Sequence, residues 1–443
     1  MNTYIDQIDM IELLSKITPL ARTLANNETD KALNILSKYL PAAIIESFPT
    51  GSKAWSWTIP QRWEIESATI KANGEVLVDV EWNPLLVVNY SLPFKGLVSK
   101  EELLKHLHTN PKRPNAIPFT FSFYEPKWGF SIPHEWLSKF TSDTYEVEIN
   151  SRFEDGDFNT LSYFLPGDSK ETFIICSDIC HPCQVNDSLT GVAVGTDIIK
   201  RLLTRGNRKY SYLFLVVPET IGSIAYLSNH SEIIESSVGA FFSEMLGTNG
   251  PLVGQRTRRG DTYWDKILEN VLNNSLSPHK VVNFLKSAGN DEKVLDSPGV
   301  DIPAFSLTRA PYPEYHSSDD NMSLIDNKML REGRDTLQQI IDFAELDYVP
   351  VLNQPGPIFL SGHDLYPNWR DDPSLLTKWE SFTDVMYSID GEHSVVELAT
   401  KLDIPIGDFF YWTDAFAEKG LLTKIPFVIK RNMLHGTKLS TKK

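Results

Sequence analysis

Cysteine is nearly absent: the 443 residues hold three, Cys176, Cys180 and Cys183, all within one short stretch. That scarcity excludes a disulfide framework. Cys180-His-Pro-Cys183 matches C-x-x-C, but a zinc ribbon needs a second such pair and none follows. A redox pair should open a helix directly, whereas here the polar QVND intervenes; thiols flanking a ligand loop are the plainer reading. Basic charge is also short, with 42 Lys and Arg against 58 Asp and Glu, a net −16. Nonspecific nucleic-acid binding needs a basic surface and acidic lipids need a polybasic patch, so neither partner is expected. No apolar run approaches the roughly 18 residues that span a bilayer. The N-terminus, MNTYIDQIDMIELLSKITPL, lacks the basic start and continuous apolar core of a secretory signal. A cytoplasmic protein is expected. No internal repeat or low-complexity tract stands out.

What is present is enough chain for two or three domains. Residues 1–47 read as two helices, from apolar positions at helical spacing in Ile8, Ile11, Leu14, Ile17 and Leu33, Ile35, Leu36, Leu40. Residues 48–155 turn to Trp, Pro and alternating apolar residues, the mark of a β-rich insert, with a short helix near Lys100–Leu107. Asn73-Gly74 between TIKA and VLVDV signals a tight hairpin. Its tryptophans (Trp55, Trp57, Trp63, Trp82, Trp128) either cap a cleft or form the insert's own core, the second being the more economical reading. Residues 156–347 alternate strand and helix. The strands TFIICSDI, YSYLFLVVP, VGAFFSEML and IPAFSL are nearly all apolar, as strands covered on both faces should be. This predicts an α/β doubly wound sheet. Pro350 to Pro367 reads as a linker, and residues 350–443 as a winged helix: three helices followed by TKIPFVIK.

Acidic and histidine residues stand at or just past the ends of those apolar runs: His181 and Asp187 in CHPCQVNDSLTG, Glu219 in VVPETIGS, Glu244 in FFSEMLG and His316 in EYHSSDDN. Open α/β sheets place ligand sites at the carboxyl ends of their strands. Zinc takes imidazole nitrogen and carboxylate oxygen and keeps an open position in catalytic sites. His181 and Asp187 share one loop that can curl around a single ion. A buried charge such as Glu244 needs a partner, and a metal supplies one. Each residue alone has a plainer account: Asp187 as a helix cap, Glu219 as a helix-start carboxylate, His316 as a surface histidine. Their joint order along the chain favours a metal centre.

That order resembles the zinc aminopeptidases of the bacterial aminopeptidase and transferrin-receptor-like group, which includes the glutaminyl cyclases. NDSLTGVA resembles the group's N-D-x-x-S/T-G-V-A, and ETIG, EMLG and YHSSDDN follow in the group's order. SFPTGSKAWSWTIP, CHPCQVNDSLTG, PETIGSIAYL and GNDEKVLDSPGVDIPAFSL are similar to a bacterial subgroup with a β-rich insert and a C-terminal winged helix, so the likeness spans nearly the whole chain. It implies a zinc-exopeptidase-type mixed sheet. It also implies metal ligation by His181, Asp187 and Glu244, with His316 joining the metal or meeting substrate, and Glu219 as general base. The group's second Glu is Thr220 here, so one zinc is expected and a second position lacks its carboxylate. Tyr315 is a candidate oxyanion donor, and Asp291 and Glu292 are candidates to hold a free α-ammonium. The implied reaction is amide hydrolysis of a peptide or aminoacyl-like small molecule. The alternatives are a non-catalytic metal- or ligand-binding protein, a metabolite-sensing regulator, and glutaminyl-cyclase-like acyl transfer. The acidic, aromatic helix GDFFYWTDAFAEKG does not suit DNA. An acidic surface with exposed aromatics allows a homo-oligomer.

Overall fold

A computed structural model describes residues 5–287, 289–366 and 375–434. Its largest sheet has eight strands, in the order Ile44–Pro49, Asp157–Leu165, Ser211–Val217, Thr172–Asp178, Ser237–Ser243, Ala304–Arg309, Leu252–Gln255 and His279–Val282. The four apolar runs make the middle of it, and Ser211–Val217, Thr172–Asp178, Ser237–Ser243 and Ala304–Arg309 all run parallel. Every residue of these strands is buried, because helices or the insert cover both faces. After Thr172–Asp178 the chain moves first to one neighbour, then back past it to Ser237–Ser243. That reversal opens a crevice at the strands' carboxyl ends.

The mixed α/β sheet matches the expected class. It also holds strands that periodicity did not reveal. Asp157–Leu165 pairs antiparallel with Ser211–Val217, and Leu252–Gln255 pairs antiparallel with Ala304–Arg309. Both are short or mixed in polarity, so their place depends on register rather than on pattern.

The helix Met10–Ile17 is capped by Asp9 and packs on Leu189–Thr204; Asn27–Tyr39 is capped by Asn26. Residues between Pro49 and Asp157 leave the main sheet and return beside their point of departure, since those two residues are paired neighbours. The segment builds a four-stranded antiparallel sheet, with Arg62–Ala72 and Thr144–Glu154 at its centre. Asn73 and Gly74 have φ of 51° and 82°, the left-handed pair a two-residue hairpin needs. A short helix, Lys100–Lys105, follows. The insert shares one apolar core with a face of the main sheet, through Trp63, Phe130, Ile174 and Leu215 among others.

Near the C-terminus stand helices Leu375–Ser388, Val395–Lys401 and Ile406–Glu418. Leu422–Pro426 pairs with Tyr348–Leu352, a strand that precedes all three helices. The stretch beginning at Pro350, read from sequence as linker, therefore starts inside a strand: prolines at an edge leave the ladder intact. Pro367 lies outside the described residues. Phe409, Trp412 and Phe416 are buried in the unit's interior, so that helix does not present an aromatic face to a groove. Asn270 of helix Tyr263–Asn273 ties the unit to the main body, donating to the Ile404 carbonyl and accepting from the Ile406 amide. Among the described residues no helix is long and apolar enough to cross a membrane.

Candidate metal centre

The carboxyl ends of the parallel strands deliver the chemistry. Asp178 is the last residue of its strand, Glu244 follows Ser243 directly, Glu219 comes two residues after Val217, and His316 lies on the loop after Ala304–Arg309. Two buried side chains shape the loop that carries His181 and Asp187. Arg22 donates to the carbonyls of Ile179 (2.8 Å), Gln184 (2.9 Å), Ile17 (2.6 Å) and His181. Asp320 accepts from the amides of Asn186 (2.8 Å), Asp187 (3.0 Å) and Val185 (3.3 Å), and burial pushes its carboxyl up to about 7. The helix after this loop is entered through Ser188, so Asp187 is not its cap. Gly191, in that helix's first turn, lets it touch the neighbouring strand: a Cβ there would sit 1.7 Å from the Ser243 carbonyl oxygen. Asn186 accepts from the Met245 amide and, through its side chain, from the Gly247 amide, which fixes the Glu244 turn beside Asp187.

His181, Asp187 and His316 converge, with one ligand atom of each within 4.8 Å of the others. His316 Nε2 is 3.2 Å from Asp187 Oδ2, and His181 Nε2 is 3.8 Å from the same oxygen. Despite that proximity, Asp187 Oδ2 and His316 Nε2 make no aligned hydrogen bond to each other or to anything else. Buried polar atoms are normally paired; two unpaired donors for a cation, aimed at a common point, fit a zinc ion in ligand type and arrangement. Burial alone would push Asp187 up, and the two imidazoles outweigh it and hold it below the usual carboxylate range. The other edge of His181 faces Asp178, with Nδ1 to Oδ2 at 3.2 Å. Such a carboxylate behind a ligating imidazole sets the ring's orientation and basicity.

Glu244 is fully buried but stands just outside the tight triplet. Its Oε2 accepts from Asn290 Nδ2 at 2.5 Å, and its Oε1 has no partner. Burial, then Asp187, Asp178, Glu292 and Glu219, drive its carboxyl well above the ordinary range. So many acids in one dry pocket are the condition a divalent cation relieves.

Glu219 is the more open carboxylate, with 29% of its side chain exposed, and its Oε2 lies 3.9 Å from His181 Nε2. Burial raises its pKa, partly offset by His181. Lys293 Nζ is 3.5 Å from its other oxygen. Thr220 follows at φ 65°, a left-handed conformation that a β-branched residue rarely adopts. Asp291 braces that turn by accepting from the Thr220 amide (3.0 Å) and the Ser223 hydroxyl. Its remaining oxygen is buried and unpaired. Glu292 points elsewhere: it accepts from Gln255 Nε2 at 2.8 Å and from the Asn290 amide. Tyr315 stacks flat on His316 with ring centres 3.9 Å apart, and burial with Asp187 raises its hydroxyl. Tyr312 has a buried hydroxyl without a partner, and burial with Asp187 raises it further. The insert reaches the site as well. Phe119 stands edge-on to both His181 and His316, and its amide donates to the His316 carbonyl. Of the insert's tryptophans, Trp63 is in the core, while Trp55 and Trp82 are exposed.

Sequence reasoning missed Asp178, Asp320, Arg22 and Phe119. Asp178 carried a signal, an acid closing an otherwise apolar strand three residues before His181; the others meet the site through long-range contacts.

Residues 11–347 match the model of a family described as "Domain of unknown function (DUF4910)". A Clostridium acetobutylicum protein described as "Putative polysaccharide biosynthesis protein with aminopeptidase-like domain" is 34% identical over 427 residues, covering 94% of this chain and 96% of that one. The crystal structure of a "putative peptidase" from Clostridium acetobutylicum superposes with a TM-score of 0.84 at 30% identity, over 94% of this chain and 96% of that one. The Bacillus subtilis zinc aminopeptidase BSAP superposes with a TM-score of 0.57 at 12% identity, over 76% of this chain and 95% of that one, a likeness of fold.

Proposed function

The chain belongs to the DUF4910 family, and from its aminopeptidase-type fold and the ligands at its strand ends we propose that it is a zinc-dependent hydrolase of amide bonds. The observation that carries this reading is the convergence of His181, Asp187 and His316 on one point, with unpaired donor atoms, beside the accessible carboxylate of Glu219. His181, Asp187 and His316 would hold the ion, with the unpartnered Oε1 of Glu244 as a further candidate ligand. Bound zinc supplies Lewis acidity toward a carbonyl and lowers the pKa of water.

The chain's own residues do the rest. Glu219 Oε2 takes a proton from the attacking water and returns it to the leaving amine; its raised pKa suits that exchange. Lys293 steadies the other oxygen of Glu219. The Tyr315 hydroxyl donates toward the carbonyl oxygen as charge develops there. Asp291, with one buried oxygen without a partner, is the group suited to a substrate ammonium, whereas Glu292 is committed to Gln255. Thr220 supplies a hydroxyl where a second ion would want a carboxylate, which favours a single zinc. The substrate class is a peptide or an aminoacyl-like small molecule.

Thr220 also supports a competing reading, in which the centre binds a ligand without turnover. The test is elemental analysis of chelator-free protein together with hydrolysis of aminoacyl amides. About one zinc per chain, lost in Asp187→Ala, with turnover lost in Glu219→Gln, is the expected result. Wild-type protein that binds no zinc when it is supplied overturns the proposal; zinc without turnover of any amide favours the competing reading.

A further inference from the structure

We propose that the loop Phe119–Trp128 of the insert is a substrate subsite that takes a bulky, ring-bearing apolar group attached next to the scissile amide. The proposal rests on the hydrolase reading above and specifies the substrate class of the same centre.

The loop borders an open cavity of about 520 Å³ whose walls include Val88, Phe119, Phe121, Phe123, Tyr124 and Trp128, with His108, Glu125 and Lys127 beside them. That size lies in the range of small-molecule sites, and such sites are walled mainly by apolar and aromatic side chains. The loop borders the metal centre through Phe119. The Phe119 ring centre is 5.4 Å from that of His181 and 5.2 Å from that of His316. The cavity therefore shares one wall, the Phe119 ring, with the metal ligands.

Its position is fixed rather than adventitious. The Phe119 amide donates to the His316 carbonyl at 2.8 Å, the Ser318 amide to the Ile117 carbonyl at 2.9 Å, and the Ile117 amide to Ser318 Oγ at 3.0 Å. The extended segment that approaches the cavity is thus tied directly to the loop that carries His316. The aromatic surface is left in water: Phe121 is 48% exposed and Tyr124 62% exposed. Clustered exposed apolar surface in a soluble chain marks a binding site more often than a lone exposed residue does. Phe121 and Phe123 are already stacked, with ring centres 4.6 Å apart and planes within 15°, so a flat wall stands ready for a second ring. An aromatic wall of this kind rewards a ring more than a methyl group, through greater buried area and stacking.

The test uses the zinc-loaded full-length protein and two probes that differ only in the ring and have no amide to cleave, L-phenylalaninol and L-alaninol. Calorimetry should give a Kd about tenfold lower or more for phenylalaninol. Phe121→Ala/Phe123→Ala, checked for an unchanged thermal midpoint, should bring the two to within about threefold while leaving alaninol binding as it was. Equal affinity of the probes for wild type, no binding of either, or an undiminished preference in the variant overturns the proposal. Hydrolysis of alanyl and phenylalanyl amides is measured in parallel. Ring preference without hydrolysis removes the hydrolase reading and leaves the subsite; hydrolysis without ring preference does the reverse.

Discussion

Nδ1 of His181 lies 3.2 Å from the carboxylate of Asp178, the fully buried last residue of its strand, while Nε2 of the same ring faces Asp187. The ring thus has one acid behind it and shares its working edge with another. Asp178→Asn keeps the shape and removes the charge. Loss of such an outer partner typically weakens metal binding by about 10–100-fold. Competition with a zinc chelator should show that loss, with circular dichroism unchanged.

Arg22 is a buried cation whose hydrogen bonds all run to main-chain carbonyls, those of Ile17, Leu20, Ile179, His181 and Gln184. Arg22→Met strands these carbonyls in a dry interior. The expected cost is about 3 kcal/mol or more. Urea unfolding checks it, and zinc affinity should fall as well, because the His181 loop loses its anchor. The lysine replacement should recover little, since one ammonium cannot reach acceptors spread around a planar fork.

Gly191→Ala forces a methyl into the carbonyl of Ser243, at 1.7 Å before any shift. Separating the helix from the strand should cost about 3 kcal/mol. Because Glu244 follows Ser243, zinc affinity should fall too, whereas alanine at the exposed Gly407, inside the helix Ile406–Glu418 with no atom within 4 Å, should leave zinc affinity unchanged and stabilise slightly, by about 0.5 kcal/mol.

Lys209 donates to the carbonyls of Ala344 and Asp347, yet burial lowers its pKa from 10.5 to about 8. The folded chain gives up this proton before the unfolded chain does. Its charged form is therefore disfavoured in the fold below about pH 8, and stability attributable to Lys209 rises as pH climbs from about 8 toward 10.5. Urea midpoints of wild type and Lys209→Met, compared at pH 7.5, 8.5 and 9.5, should diverge in favour of wild type; a constant gap would refute the shift.

The central sheet was legible because Thr172–Asp178, Ser211–Val217, Ser237–Ser243 and Ala304–Arg309 are continuous apolar runs, and the candidate ligands were legible because each stands just beyond one of them. The rest depended on register and distance. Asp157–Leu165 alternates too weakly to stand out and gains its place by pairing with Ser211–Val217. Arg22 reaches carbonyls about 160 positions away, and backbone acceptors leave no trace in side-chain identity. Phe119 sits in a segment that reads as ordinary insert core until its amide is seen on His316. Glu292, singled out beside Asp291, turned out to face Gln255, because neighbours on a short helix point in different directions.

The pairing of Tyr348–Leu352 with Leu422–Pro426 makes the C-terminal unit a closed loop of chain. Beyond its last strand the chain runs back to the main body, where the Ile429 amide donates to the Tyr210 hydroxyl and Arg431 donates to the carbonyls of Ser237 and Val300. The unit is buckled at both ends, so it is not a pendant that can be cut away. A stop codon after Leu352 would strip that strand of its ladder partner and uncover the patch around Tyr210 together. Dissection by truncation would then report on damage to the sheet, and only substitutions within the unit can reveal what it contributes.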